Sequence, residues 1–340
     1  METPAEGSKP ADADGTSDAA TDLGTDVPAT VRTLFFGSGS FAVPILDALL
    51  RIEGVSTVAV VSAPDRPVGR KALITPTPVT AFARGVGLPV LQPVRVRGPE
   101  AIDEIAALAP ELIVLADYGQ LIPRRLLDLP ARGFLNLHPS ALPRWRGAAP
   151  IPATLLAGDP SSAVTLMILT EEMDAGPIVA TAPLTVQCDD TAVTLEARAA
   201  DVAGRLLRDM LPSWLAGRVH AAPQRAEGVT LTRPLRREDG RIDPHKPAEH
   251  LERQVRAYQP WPGAYLETPE GRLIVGRADV GEPNADGLEP GALVRTPEGL
   301  ALIAADRLLL LREVQLAGKR RMDSAELLRG YPSLAGSKVR

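Results

Sequence analysis

Cysteine is nearly absent. Cys188 stands alone in 340 residues, which excludes an internal disulfide and any metal site built from clustered thiolates. Histidine is scarce as well. His138, His220, His245 and His250 are dispersed, and the last two are five apart rather than the four that would share a helical face. No metal is expected, and the setting is expected to be reducing and cytoplasmic. Long apolar runs are missing: Leu112–Ala116 is far below the ~20 residues needed to cross a bilayer. The start of the chain lacks the basic and apolar regions of a signal peptide. Charge of one sign is lacking too, once position is considered. Residues 1–30 hold seven acids and one lysine, so they carry −6 of a net charge of −5, leaving +1 for the rest. Outside that tail an anionic partner is not repelled.

What is present can bury a core: 45% hydrophobic and 23% charged residues, in a chain long enough for two domains. Residues 1–30, rich in Ala, Asp, Thr and Gly, read as a disordered acidic tail. Val31–Phe36 reads as a buried first strand. Gly37-Ser-Gly39-Ser-Phe-Ala42 follows it and leads into a helix. This spacing fits the dinucleotide-binding fingerprint only loosely. The acid that should end the second strand, Asp65, lies inside the turn Ala63-Pro-Asp-Arg-Pro67, so a strand-to-helix turn lining a cleft is the better reading. Residues 64–78 read as a long loop carrying Arg66, Arg70 and Lys71. Helix, Leu88–Leu91, a helix over 99–108 and the strand Leu112–Ala116 then alternate, which predicts a parallel sheet with helices on both faces.

The stretch Phe134-Leu-Asn-Leu-His138 reads as a further strand, bracketed by Gly133 and Pro139. With a side-chain period of two, Asn136 and His138 share one face and Leu135 and Leu137 the other. A hydrogen-bond donor and an imidazole therefore sit together at a strand's C-terminal end, the edge where open α/β sheets bind ligands. Tyr118-Gly119 closes the preceding strand at the same edge. A helix to Ala157, strands over 163–169 and 178–181 and a long helix over 191–215 follow. Asp174, in the turn between those strands, can reach that edge too. No serine or cysteine has the context of a nucleophile. Asn136, His138 and Asp174 instead suit acyl transfer between two bound substrates, with an oxyanion to hold and a proton to move. Spacing alone leaves a purely structural use of these side chains open.

Pro212, Pro223 and Pro234 mark a linker. From about residue 241 a helix over 248–258 and short strands between Gly/Pro turns predict a small β-barrel. The chain then closes with a basic loop, Lys319-Arg-Arg321, and a helix capped by Asp323. The boundaries read as 1–30 tail, 31–222 catalytic domain, 223–240 linker and 241–340 C-terminal domain. The fold class is α/β: a Rossmann-like parallel-sheet domain followed by a small OB-like β-barrel.

Asn136-x-His138, then Ser140-Ala-Leu-Pro-Arg-Trp-Arg-Gly147 and Met173-Asp-Ala-Gly176, resemble the folate-dependent formyltransferases. Asp65-Arg-Pro67, Arg256-Ala-Tyr-Gln-Pro-Trp-Pro262 and Ala317-Gly-Lys319 are similar to the branch of that superfamily acting on methionyl-tRNA. The similarity spans about residues 31–330. The resemblance implies transfer of a formyl group from 10-formyltetrahydrofolate to the α-amine of methionine on initiator tRNA, with no metal, no membrane and no obligatory protein partner. It implies that Asn136, His138 and Asp174 are catalytic and that Ser140, Ala141, Leu142 and Pro143 line the folate pocket. It makes Arg70, Arg256, Lys319 and Arg320 candidates for tRNA contact, since Arg and Lys are the usual phosphate donors. Ala141 departs from the leucine usual in the family's folate loop. Formyl transfer to a small amine and a non-catalytic tRNA-binding module are the competing readings.

Overall fold

The computed structural model describes residues 30–68, 72–284 and 287–339. The expected acidic tail and Arg70 lie outside the described residues. The first half alternates strand and helix as the apolar runs dictate: β1 (Val31–Gly37), α1 (Ala42–Leu50), β2 (Val55–Val61), β3 (Arg66–Val68), β4 (Leu73–Thr75), α2 (Pro78–Gly85), β5 (Val90–Leu91), α3 (Pro99–Ala107), β6 (Leu112–Ala116), α4 (Arg124–Leu127) and β7 (Phe134–His138). Next come β8 (Arg146–Gly147), α5 (Pro150–Ala157), β9 (Ser161–Ile168), β10 (Ile178–Thr185) and α6 (Ala192–Leu215).

Seven strands form one sheet in the order β10-β9-β7-β6-β1-β2-β5. β1, β2, β5, β6 and β7 are parallel; at one side β9 runs antiparallel to β7, and β10 antiparallel to β9. The central strands β6 and β7 are buried throughout and β1 is buried apart from Arg32, whereas β2 and β5 toward the edge are only partly buried. Burial on both faces explains the continuous apolar run of β6. One face packs Phe35, Val114, Leu135 and Leu137 against α1, α5 and α6. The other packs Phe36, Ile113, Leu115 and Phe134 against α3 and α4. Truncating a ring such as Phe134 costs about 3–5 kcal/mol.

β1 pairs with β2 on one side and β6 on the other, so the strand order reverses there and opens a crevice beyond the carboxyl ends. The Gly37/Gly39 turn crosses this crevice. The Ser38 and Gly39 amides donate to the Asp117 carbonyl, and a Cβ on Gly39 would fall 1.7 Å from Asp117 Oδ2. The glycine spacing thus serves close packing on the neighbouring strand end; a carboxylate stands where a phosphate would have to approach.

Two local expectations change. Within 64–78, expected as an irregular loop, β3 and β4 pair as antiparallel strands. Pro212 does not mark a linker but lies inside α6. It is exposed, so the carbonyl its missing N–H leaves unbonded can be met by water. The N-terminus of α6 is closed by Thr191, whose side chain accepts from the Thr194 amide; such a cap contributes about 1 kcal/mol.

After α6 the chain crosses back over the sheet edge as β11 (Leu231–Thr232), which pairs parallel with β8. α7 (Ala248–Ala257) then leads into an antiparallel domain of β12 (Ala264–Thr268), β13 (Gly271–Pro283), β14 (Leu293–Thr296), β15 (Gly299–Ile303), β16 (Arg307–Leu316), β17 (Met322–Asp323) and α8 (Ser324–Gly330). The strands pair in the path β12-β13-β16-β15-β14, with β17 on β16. They enclose a separate core that includes Leu251, Val275, Leu302 and Leu327.

Candidate active site

β7 sits between β6 and β9, with Asn136 opposite Leu115 and Met167, and His138 opposite Thr165. The period of two holds. Leu135 and Leu137 enter the core beneath α5 and α6, and Asn136 and His138 line a cavity of about 390 Å³ at the carboxyl edge. They are 5% and 6% exposed. Asp174 joins them from the turn between β9 and β10, held at φ +50°, a left-handed conformation that aspartate tolerates better than most residues.

The three side chains converge. Asn136 Nδ2 donates to Asp174 Oδ1 at 3.4 Å. The Gly147 amide donates to Asp174 Oδ2 at 2.8 Å, and His138 Nδ1 lies 3.6 Å from that same oxygen. His138 Nε2 lies 2.9 Å from the Trp145 carbonyl. A carbonyl only accepts, so Nε2 carries hydrogen and Nδ1 is the nitrogen turned toward the carboxylate. The backbone at Trp145 therefore fixes the ring. Asp174 stands where it can hold a proton arriving at Nδ1, but not yet at hydrogen-bond distance.

The loop that supplies Trp145 and Gly147 is itself tied down. Arg144 and the Trp145 indole both donate to Asp159. Gly147 has φ +106°, and a Cβ there would fall 2.2 Å from the Thr232 carbonyl on β11, so only glycine lets the two strands meet and the amide face Asp174.

The remaining cavity wall comes from Asp117–Ile122 after β6, from Leu169–Glu171 with Met173, and from Ala148 and Pro234. Leu115, Leu121, Ile122, Leu169 and Met173 make one side apolar, which suits a flat ring system held against a few polar groups. Ser140, Ala141, Leu142 and Pro143 are not part of this wall. Ser140 is buried, with its hydroxyl on the Arg144 carbonyl at 2.7 Å and its own carbonyl accepting from Thr165 Oγ1 at 2.7 Å. Leu142 is buried, and its amide donates to Thr165. The motif holds the loop behind the cavity.

The sequence-expected cations fall into two groups. Arg256 is engaged internally, on Glu252 at 2.6 and 2.9 Å and on the Asp190 carbonyl at 2.7 Å, which ties α7 to the start of α6. Lys319 and Arg320 are exposed, Arg320 being paired with half-buried Glu326. Among the described residues no cluster of three His, Cys, Asp or Glu could hold a metal, and no helix is long and apolar enough to cross a membrane.

Sequence reading passed over three contributors. Asp117 and Leu121 flank the Tyr118-Gly119 pair, and the strand end itself was the signal there. Gln224 lies in a Pro-flanked stretch that carries no chemical signature.

A parallel-sheet domain with an Asn–His–Asp cluster at its carboxyl edge, followed by an antiparallel domain, defines the class, and comparison with known proteins gives it a name. Residues 31–211 match the formyl transferase family, and residues 234–332 match the formyl transferase C-terminal domain. The methionyl-tRNA formyltransferase of Myxococcus xanthus is 38% identical over 90% of this chain and 97% of its own length. That of Thermus thermophilus is 42% identical over 91% of this chain and 99% of its own. The chain belongs to the formyl transferase family, in the branch of the methionyl-tRNA formyltransferases. Solved structures share the fold at low identity. The N-formyltransferase of Helicobacter canadensis, crystallised with folinic acid and dTDP-3-aminofucose, superposes with a TM-score of 0.60 at 14% identity, covering 83% of this chain and 99% of that one. HypX of Aquifex aeolicus with tetrahydrofolic acid gives 0.56 at 17%, covering 88% of this chain and 47% of that one.

Proposed function

We propose that this enzyme transfers the formyl group of 10-formyltetrahydrofolate to the α-amine of methionine on initiator tRNA, as the names of its relatives indicate. The observation that carries the reading is the meeting of Asn136, His138 and Asp174 at one end of a half-apolar cavity. The folate supplies an activated formyl carbon. The amine nitrogen bonds to that carbon and loses a proton; the bond from the carbon to the folate nitrogen breaks, and that nitrogen leaves protonated. In between, the formyl oxygen carries negative charge. Asn136 Nδ2, held by only a long contact to Asp174, is available to donate to it. The imidazole, oriented through Nε2, passes or holds the proton at Nδ1, and Asp174 stabilises the charged ring. The apolar wall from Leu115 to Ile122 is the surface assigned to the folate ring. Ser140–Pro143 shape the loop behind it rather than touching it.

Residues 31–222 are assigned as the catalytic unit and 241–340 as the unit contacting tRNA. Lys319 and Arg320 meet the phosphate backbone there. Arg70, which falls in sequence between β3 and β4, is assigned to the acceptor end on the resemblance alone. The reaction is assigned to the cytoplasm, without an obligatory protein partner. The test is formyl transfer from 10-formyltetrahydrofolate to methionine charged on initiator tRNA, with elongator methionyl-tRNA, free methionine and an amino sugar nucleotide as controls. Transfer to the initiator species alone supports the proposal. Preferred transfer to the sugar nucleotide moves the enzyme to the small-amine class.

A further inference from the structure

One side chain in the segment between the domains joins the two loops on which the Asp174 carboxylate depends. Gln224 Nε2 donates to the Asp174 carbonyl at 2.7 Å and to the Gly176 carbonyl at 2.9 Å. Its Oε1 accepts from Arg146 Nε at 3.0 Å and from an Arg146 terminal nitrogen at 2.8 Å. Both donors and both lone pairs of the amide are used. The orientation is forced by chemistry: turned over, the amide would aim its oxygen at two carbonyls and its NH2 at a guanidinium.

The two anchor points flank the candidate catalytic carboxylate. One is the main chain of Asp174 itself, held at φ +50°. The other is Arg146, whose next residue, Gly147, donates its amide to Asp174 Oδ2. The carboxylate stands 3.6 Å from His138 Nδ1, a spacing at which a few tenths of an ångström decide whether a hydrogen bond forms. Gln224 does not itself line the cavity; its hydrogen bonds go to Asp174, Gly176 and Arg146, so its influence must pass through the Asp174 turn and the Gly147 amide. We propose that Gln224 is a positioning residue that holds the Asp174 turn and the Gly147 amide in register for formyl transfer. The proposal rests on the reading that Asp174 acts in the reaction. It gives the interdomain segment, 223–240, a part in the active site instead of a merely connecting role.

The test is a double-mutant cycle on the full-length enzyme, with formyl transfer to initiator methionyl-tRNA as readout. Asp174→Ala and Gln224→Ala are measured singly and together. Since a misplacement of about 1 Å can cost ~10²-fold, Gln224→Ala is expected to lower kcat roughly 30–100-fold with little change in either KM. The double variant is expected to be no slower than Asp174→Ala alone. Multiplying losses would overturn the proposal, as would a Gln224→Ala enzyme with native kcat. Near-native turnover in Asp174→Ala would instead remove the reading on which it rests. Gln224→Glu adds a readout that general destabilisation does not move. Its ionised carboxylate can accept from Arg146 but repels the two carbonyls; protonated, it regains one donor. The variant's kcat relative to native enzyme is therefore expected to rise as pH falls through the carboxylate range. If Gln224→Ala does not fold, this ratio decides alone, and a pH-independent ratio overturns the proposal.

Discussion

The carboxyl edge of the parallel sheet and the 317–321 loop of the C-terminal domain both present polar chemistry, and they hold it in opposite ways. At the edge, Asn136 and His138 are 5% and 6% exposed. Their partners are a carboxylate and a backbone carbonyl whose own positions are set by further hydrogen bonds. In the loop, Lys319, Arg320 and Arg321 are exposed, and the partners of the two arginines, Glu326 and Glu313, sit on the same surface. Exposed pairs of this kind contribute only about 0–1 kcal/mol, so the cations can exchange a carboxylate for a phosphate at little cost. One region is built for a single geometry. The other holds its charge at adjustable positions, which is what the proposed contact with an irregular polyanion requires.

The sharpest way to break this contrast is at Asp174. Asp174→Ala removes the acceptor for Gly147 and the partner of Nδ1 without disturbing either core. We expect kcat to fall by at least ~10²–10³, the range seen when a transition-state contact is lost, with the melting temperature lowered by only a few degrees, because alanine is strained at φ +50° and the Gly147 amide loses its acceptor. Steady-state kinetics and thermal unfolding check both halves. A variant within tenfold of native turnover would show that the edge is more adjustable than its burial implies.

Much of that edge is legible in the sequence. β6 is a continuous apolar run, β1 is nearly one, and in β7 Leu135 and Leu137 alternate with Asn136 and His138 between Gly133 and Pro139, so a period of two is enough to set the two polar residues on one face. What is not legible is whatever depends on distant partners. β3 and β4 are three residues each and acquire their identity only by pairing. Ser140 and Leu142 belong to a recognisable motif, but their burial comes from Thr165 on β9, and it takes them out of the cavity wall. Gln224 and Thr232 lie in a stretch whose Pro content reads as linker, because hydrogen bonds to loops far along the chain leave no periodic trace. Arg256 reads as a surface cation for the same reason: its acceptor at Asp190 is 66 residues away.

A smaller effect is expected in the C-terminal loop. Lys319→Ala and Arg320→Ala should each raise KM for tRNA a few-fold, leave kcat and folate affinity unchanged, and reduce the salt dependence of kcat/KM by about one phosphate contact. Arg70→Ala is expected to weaken transfer to tRNA in the same manner with folate binding intact. Asp174→Ala should leave the salt slope as it is. Kinetics across an ionic-strength series separate the two patterns, and a large kcat loss from any of these cations would place that residue with the rigid edge.

The smallest expected effect concerns Asp117, a carboxylate at the edge without the hydrogen bonds given to Asp174. Asp117 follows β6 at φ +46° and lines the cavity, its carboxylate pressed toward Gly39. Asp117 is exposed toward the cavity, but the protein packed around its carboxyl, and then the charge of Glu196, hold it above the usual carboxylate range. A group whose value is raised on folding binds its proton more tightly in the native state. The stability this gives is complete below the unfolded value and is lost as pH rises through the folded one. Ionised Asp117 therefore works against folding at neutral pH, although its opening to the cavity limits the cost. Asp117→Asn is expected to raise the melting temperature slightly at neutral pH, by a few degrees at most. The difference should vanish as pH falls below about 4, where the native side chain is itself neutral. Thermal unfolding of both proteins across this range is the check. A difference that does not change with pH would mean that shape rather than charge decides at Asp117, and that this corner of the edge is as fully satisfied as the cluster around Asp174.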